Sequence, residues 1–139
     1  MRIFLDANVL VSVLNQEYPL FSYSARILAL ADNSRFTVYT SPICLAIAFY
    51  FSEKKSGSKL AKKKLEILVS KIQITTVDQQ VVSNAVKDKR VIDFEDGLEY
   101  FSAIAEGCEV IITEDLNDFY YSEIEVLNCK SFIRTYFGS

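Results

Sequence analysis

The feature that most constrains this chain is a short apolar run that stops on a carboxylate. Arg2 to Leu5 has the β-branched and aromatic character of a buried strand, and Asp6 and Asn8 follow before apolar residues return up to Leu14. In an open parallel sheet, the residues just past a strand's carboxyl end face the crevice where ligands bind. Asp6 therefore belongs at such a mouth, unless it or Asn8 only caps the next helix by accepting from its free N–H groups. Asp6 alone does not choose between the two readings, and acidic groups far downstream bear on it.

The remaining elements alternate. Helix formers over Phe21 to Asp32 place Ile27, Leu28 and Ala31 on one face, and Phe36 to Thr40 is a strand by composition. Ser41-Pro42 is a helix start, and Ile43 to Phe51 continues almost wholly apolar, as a buried or interface helix would. Ser52 to Ser58 is polar, holds Gly57 and reads as a break. Lys59 to Lys71 is a second helix, with Leu60, Leu65, Leu68 and Val69 opposite Lys59, Lys62, Lys63 and Lys64, either a solvated face or a phosphate-contacting patch. Ile72 to Val77 alternates as a strand, and Asp78 caps a helix to about Lys87. A helix from Asp93 to about Glu106 stops at Gly107, followed by the strand Glu109 to Thr113, an acidic and aromatic loop, a short strand Ile124 to Leu127 and a terminal helix Ser131 to Phe137. Strands alternating with helices imply right-handed crossovers, hence one α/β/α sandwich around a central parallel sheet of four to five strands, spanning residues 1–139 as a single domain.

Composition limits the chemistry. Half of the 139 residues are hydrophobic and only four are Gly and two Pro, as expected of a chain that buries one substantial core. The net charge of -3 gives no global pull toward nucleic acid, so an RNA contact depends on local basic patches. There is no histidine, and Cys44, Cys108 and Cys129 are far apart, which removes a His base and argues against thiolate or imidazole zinc sites. Unpaired cysteines fit a reducing compartment, and the apolar N-terminus is too short for a membrane span, so the expectation is a cytoplasmic protein with no membrane partner.

In such a fold Asp6 follows the first strand, while Asp115 and Asp118 follow the strand ending at Thr113; Asp96 joins them if its helix starts beside the same mouth. Crowded carboxylates repel unless a cation or raised pKa values relieve them. Oxygen ligands without imidazole suit Mg²⁺ or Mn²⁺, and the matching chemistry is metal-assisted hydrolysis of a phosphodiester. Each acid also has a local use. Asp93 and Asp96 have capping-box spacing, with Glu95 favoured by the same helix end, and Asp115 and Asp118 can hold a turn through Asx bonds.

The segments F-L-D-A-N-V-L, D-F-E-D-G-L-E-Y-F-S-A and I-I-T-E-D-L-N-D-F, in this order and spacing, resemble the PIN domain family, nearest its VapC-like branch. The resemblance implies a Mg²⁺- or Mn²⁺-dependent ribonuclease, often the toxin of a toxin–antitoxin pair. By position, Asp6, Asp96 and Asp115 match the family's metal-binding acids, Asp118 a supporting acid and Asn8 the polar residue of the first motif. Two positions depart from the pattern. Ile47 stands where a Glu is common on the helix after the second strand, and Glu114 stands where Arg is common. These departures support an alternative, a catalytically weak or inactive PIN-like module that binds RNA or a protein partner. In a third reading the acids are structural caps in an oligomeric interaction protein. The expected partners are RNA, an antitoxin protein and a second copy of the chain, with the apolar helix 43–51 and Phe119-Tyr120-Tyr121 as the surfaces offered.

Overall fold

A computed structural model describes residues 1–138. Its centre is β1 (Arg2–Leu5), whose Ile3, Phe4 and Leu5 are fully buried, as befits a strand covered on both faces. β1 pairs in parallel with β2 (Thr37–Thr40) on one side and β4 (Val110–Ile112) on the other. β3 (Gln73–Ile74) extends the sheet beyond β2, and β5 (Glu125–Leu127) extends it beyond β4. The order is β3-β2-β1-β4-β5, with every pair parallel, at the upper end of the expected four to five strands.

The chain steps outward from β1 to β2 and β3, then returns across the sheet to β4 and β5. Right-handed crossovers running in opposite directions place their helices on opposite faces. The first set is α1 (Ala7–Asn15), α2 (Phe21–Leu28), α3 (Pro42–Ser56) and α4 (Ser58–Val69), in which α1 touches α2 and α3, and α3 touches α4. The second is α5 (Gln79–Lys87) with α6 (Phe94–Ala105), while α7 (Cys129–Phe137) follows β5 and lies against α2. The direction in which the chain adds strands reverses between β1 and β4. Their carboxyl ends therefore flank the crevice in which open α/β sheets bind ligands.

Several boundaries differ from the sequence expectation. α3 runs through the polar stretch to Ser56, because Cys44, Ala48 and Ser52 form a buried stripe at helical spacing that polarity alone hides. Only Gly57, at φ +83°, separates it from α4. The apolar helix is also not wholly buried, since Tyr50 and Phe51 are exposed. In the aromatic loop, Phe119 and Tyr121 belong to the core and Tyr120 alone is exposed. β3 has two residues where six were expected, and the last four residues of α2's pattern tighten into a 3₁₀ turn, Ala29–Asp32. Among the described residues no helix is long and apolar enough to cross a membrane.

Candidate metal centre

Asp6 continues β1 by one residue, its backbone N–H donating to the Ile112 carbonyl at 3.0 Å, so the ladder between β1 and β4 fixes where its side chain starts. One carboxylate oxygen accepts from the Ala7 N–H at 2.6 Å and caps α1. The other accepts from the Thr113 hydroxyl at 2.7 Å, from the strand alongside. Capping and mouth position are thus both realised in one buried side chain. Asn8 lies two residues further, in the first turn of α1, and ties the two strand ends together. Its amide donates to Asp115 Oδ2 and to Thr113 Oγ1, each at 3.1 Å, and its carbonyl accepts from the Glu114 N–H at 3.2 Å.

α6 delivers the next acid. Asp93 is its cap, accepting from the Glu95 and Asp96 N–H groups at 2.9 and 3.4 Å, which leaves the Asp96 carboxylate free of that role. Asp6, Asn8, Asp96, Asp115 and Asp118 all line one cleft of about 480 Å³ at the carboxyl ends of β1 and β4. Asx bonds do not hold the last loop: Asp115 makes no capping bond to the 3₁₀ turn Leu116–Phe119 that follows it. Ile47, from α3, forms part of the cleft wall where an acid was expected by resemblance. Glu114 also reaches the cleft, but its carboxylate accepts from the Cys129 N–H at 3.0 Å, where the positive end of α7 offsets its charge.

Two residues of the site were missed by sequence reasoning. Glu99, 2% exposed, lies one turn after Asp96 on the same face of α6, and its Oε1 accepts from the Cys44 thiol at 2.9 Å. Asp6, Cys44 and Glu99 present ligand atoms all within 4.8 Å of one another. The spacing of three between Asp96 and Glu99 is the signal that points to Glu99, and it was obscured by the apolar residues on either side. Cys44 brings a single thiol beneath an otherwise oxygen-lined cleft.

The electrostatics follow from crowding. Asp96 is pushed up to about 7, first by burial and then by Asp93, Asp118, Asp6 and Glu95. Burial, followed by the neighbouring Asp6, raises Glu99 well above the carboxylate range, and burial raises the Cys44 thiol too. Asp118 is raised by partial burial and by Asp115, Asp6 and Asp93. Nine of the chain's 18 acidic residues line the cleft, and no Lys or Arg does among the described residues. A divalent cation fits this donor set, because it supplies the missing positive charge to carboxylates that already depress one another's ionisation.

A family model described as PIN domain matches residues 2–117. Ribonuclease VapC1 of Aquifex aeolicus (strain VF5) is 28% identical over 135 residues, covering 94% of this chain and 92% of that protein. Among solved structures, VapBC2 from Rickettsia felis, bound to a DNA fragment from its promoter, aligns with TM-score 0.70 at 24% identity over 92% of this chain and 98% of that one. VapBC-1 from nontypeable Haemophilus influenzae aligns with TM-score 0.71 at 14% identity over 94% and 99%. Mycobacterium tuberculosis VapC20, a toxin that cleaves the sarcin-ricin loop, aligns with TM-score 0.62 at 16% identity over 78% and 86%.

Proposed function

From a chain that belongs to the PIN domain family, we propose a Mg²⁺- or Mn²⁺-dependent endoribonuclease, the toxin of a toxin–antitoxin pair, formed by one domain over residues 1–139. The observation that carries it is the convergence of Asp6, Asp96, Asp115 and Asp118 on one cleft that no Lys or Arg lines among the described residues. Asp6, Asp96 and Asp115 would hold the cation, which when bound would offset charge on the scissile phosphate and make water more acidic. Asp118 accepts a proton from water or orients it at the rim. Thr113 and Asn8 fix the Asp6 and Asp115 carboxylates through the bonds described, so that little reorganisation is left for the reaction. The toxin role rests on the likeness to the Aquifex ribonuclease and to the VapBC structures. The partners that go with that role are RNA and an antitoxin protein, and a second copy of the chain is proposed beside them.

RNA incubated with Mn²⁺ should be cut by the wild type and spared by Asp115→Ala and Asp96→Asn. Ile47 in the cleft wall favours a second reading, a PIN-like module that binds RNA or a protein and cuts weakly or not at all. RNA left intact by a wild type that binds Mn²⁺ would select it.

A further inference from the structure

We propose that the helical hairpin of α3 and α4 is the docking track for a single-stranded RNA whose scissile bond lies in the cleft; the proposal rests on the nuclease reading for what happens at the end of that track. The cleft cannot itself attract a polyanion. Nine carboxyl side chains and, among the described residues, no cation line it, so within about a Debye length, ~10 Å at moderate salt, phosphates are repelled wherever no metal is bound. The attraction has to come from another surface that adjoins the mouth.

The cations are concentrated on that hairpin. Residues 54–71 hold seven of the chain's 15 Lys and Arg and one acid, Glu66. Three of the seven are engaged: Lys55 donates to the Asn15 carbonyl, Lys64 to the Leu14 carbonyl, and Lys71 pairs with Asp32. Lys54, Lys59, Lys62 and Lys63 are exposed, and no carboxylate among the described residues forms an ion pair with them. Lys59, Lys62 and Lys63 have the spacing of one helical face.

Aromatic rings lead from the cleft to Lys54, the lysine that precedes this face in the hairpin. Phe51 lines the cleft and stands edge-on to Tyr50, ring centroids 5.2 Å apart, with 46% and 52% of the two residues exposed. Lys54 Nζ sits 4.9 Å from the Tyr50 ring centre. One turn of α3, about 5 Å, thus leads from cleft wall to lysine. An acidic protein surface would match the lysines and pack on the rings, but it would have no reason to continue into a cleft lined by carboxylates. Unpaired bases stack on such rings whatever their identity while the backbone follows the cations, and a duplex hides its bases from them.

The test is fluorescence anisotropy of a labelled single-stranded oligoribonucleotide and of the same sequence as a duplex, both in EDTA so that no RNA is cut. The wild type should bind the single strand more tightly. Lys59→Gln/Lys62→Gln/Lys63→Gln should reduce the slope of log Kd against log salt by about 2. Tyr50→Leu should weaken binding about tenfold with the slope unchanged. Circular dichroism confirms that each variant is folded. A folded triple-lysine variant with wild-type affinity and slope, or a preference for duplex, overturns the proposal, the former leaving the lysines to an acidic protein. RNA that binds in this way yet stays intact with Mn²⁺ would sink the nuclease reading and leave the track standing.

Discussion

At the scale of single residues, the site depends on side chains that serve the backbone and the cleft together. The Thr113 hydroxyl donates to Asp6 while accepting from Asn8 and from the Asp115 N–H, so one oxygen aligns both strand ends. Thr113→Val keeps the shape and removes that oxygen. It should cost about 1–3 kcal/mol in denaturant melts and weaken Mn²⁺ binding about tenfold by calorimetry; unchanged Mn²⁺ affinity would show that Asp6 needs no such support. Ile47 allows the opposite experiment. An Ile47→Glu change adds an oxygen ligand to the cleft wall, so Mn²⁺ affinity should rise about tenfold while the metal-free Tm falls from added repulsion. A variant that binds Mn²⁺ no better would place that side chain out of reach of the ion. Asp6, Asp96 and Asp115 were legible in the sequence because each sits beside a strand end or helix start that its neighbours announce. Glu99 was not, because its one local signal, the spacing of three from Asp96, is obscured by apolar neighbours; only the fold reveals that it faces Asp6.

At the scale of elements, periodicity identified the helices and polarity misplaced their ends. Ser52 to Ser58 looks like a break, yet α3 continues to Ser56 because its buried stripe needs one small residue per turn, which Ser52 supplies. β3 was expected to be longer, since alternation marks an extended segment without telling how much of it finds a partner. α6 shows how an element's fit sets the site. A Cβ at Gly97 would come within 2.6 Å of Val91 Cγ1 and 3.2 Å of the Ala85 Cβ, so the close approach of α5 and the Val91 loop requires glycine there. Gly97→Ala gains up to about 1 kcal/mol in helix propensity but forces that contact apart, at a typical cost of about 1–3 kcal/mol. Urea titration should therefore find the variant less stable, and Mn²⁺ affinity should drop as well because Asp96 is the preceding residue. A more stable Gly97→Ala would mean that the loop yields freely.

At the scale of the whole molecule, the net charge of -3 conceals a separation that only the fold displays: acids from distant segments meet in the cleft, and lysines gather on one hairpin. The parallel sheet, read from alternating elements, is what brings the acids together, and their crowding makes stability and metal binding depend on pH in opposite senses. Asp96 titrates near 7 in the fold because of burial and its acidic neighbours, whereas an unfolded Asp titrates near ~3.9. Between those values the folded chain holds the extra proton, so stability from this group is complete below about 4 and is lost as pH rises through about 7. Thermal melts of the metal-free protein should accordingly show a lower Tm at pH 8 than at pH 5.5. Mn²⁺ binds the ionised form, so its affinity should increase through the same window, and at a hundred times Kd it adds about 2.7 kcal/mol. The Mn²⁺-induced rise in Tm should then be larger at pH 8 than at pH 5.5, and Asp96→Asn should flatten both trends. Equal Mn²⁺ shifts at the two pH values in the wild type would mean that the ion does not displace the Asp96 proton, and would remove that residue from the coordinating set.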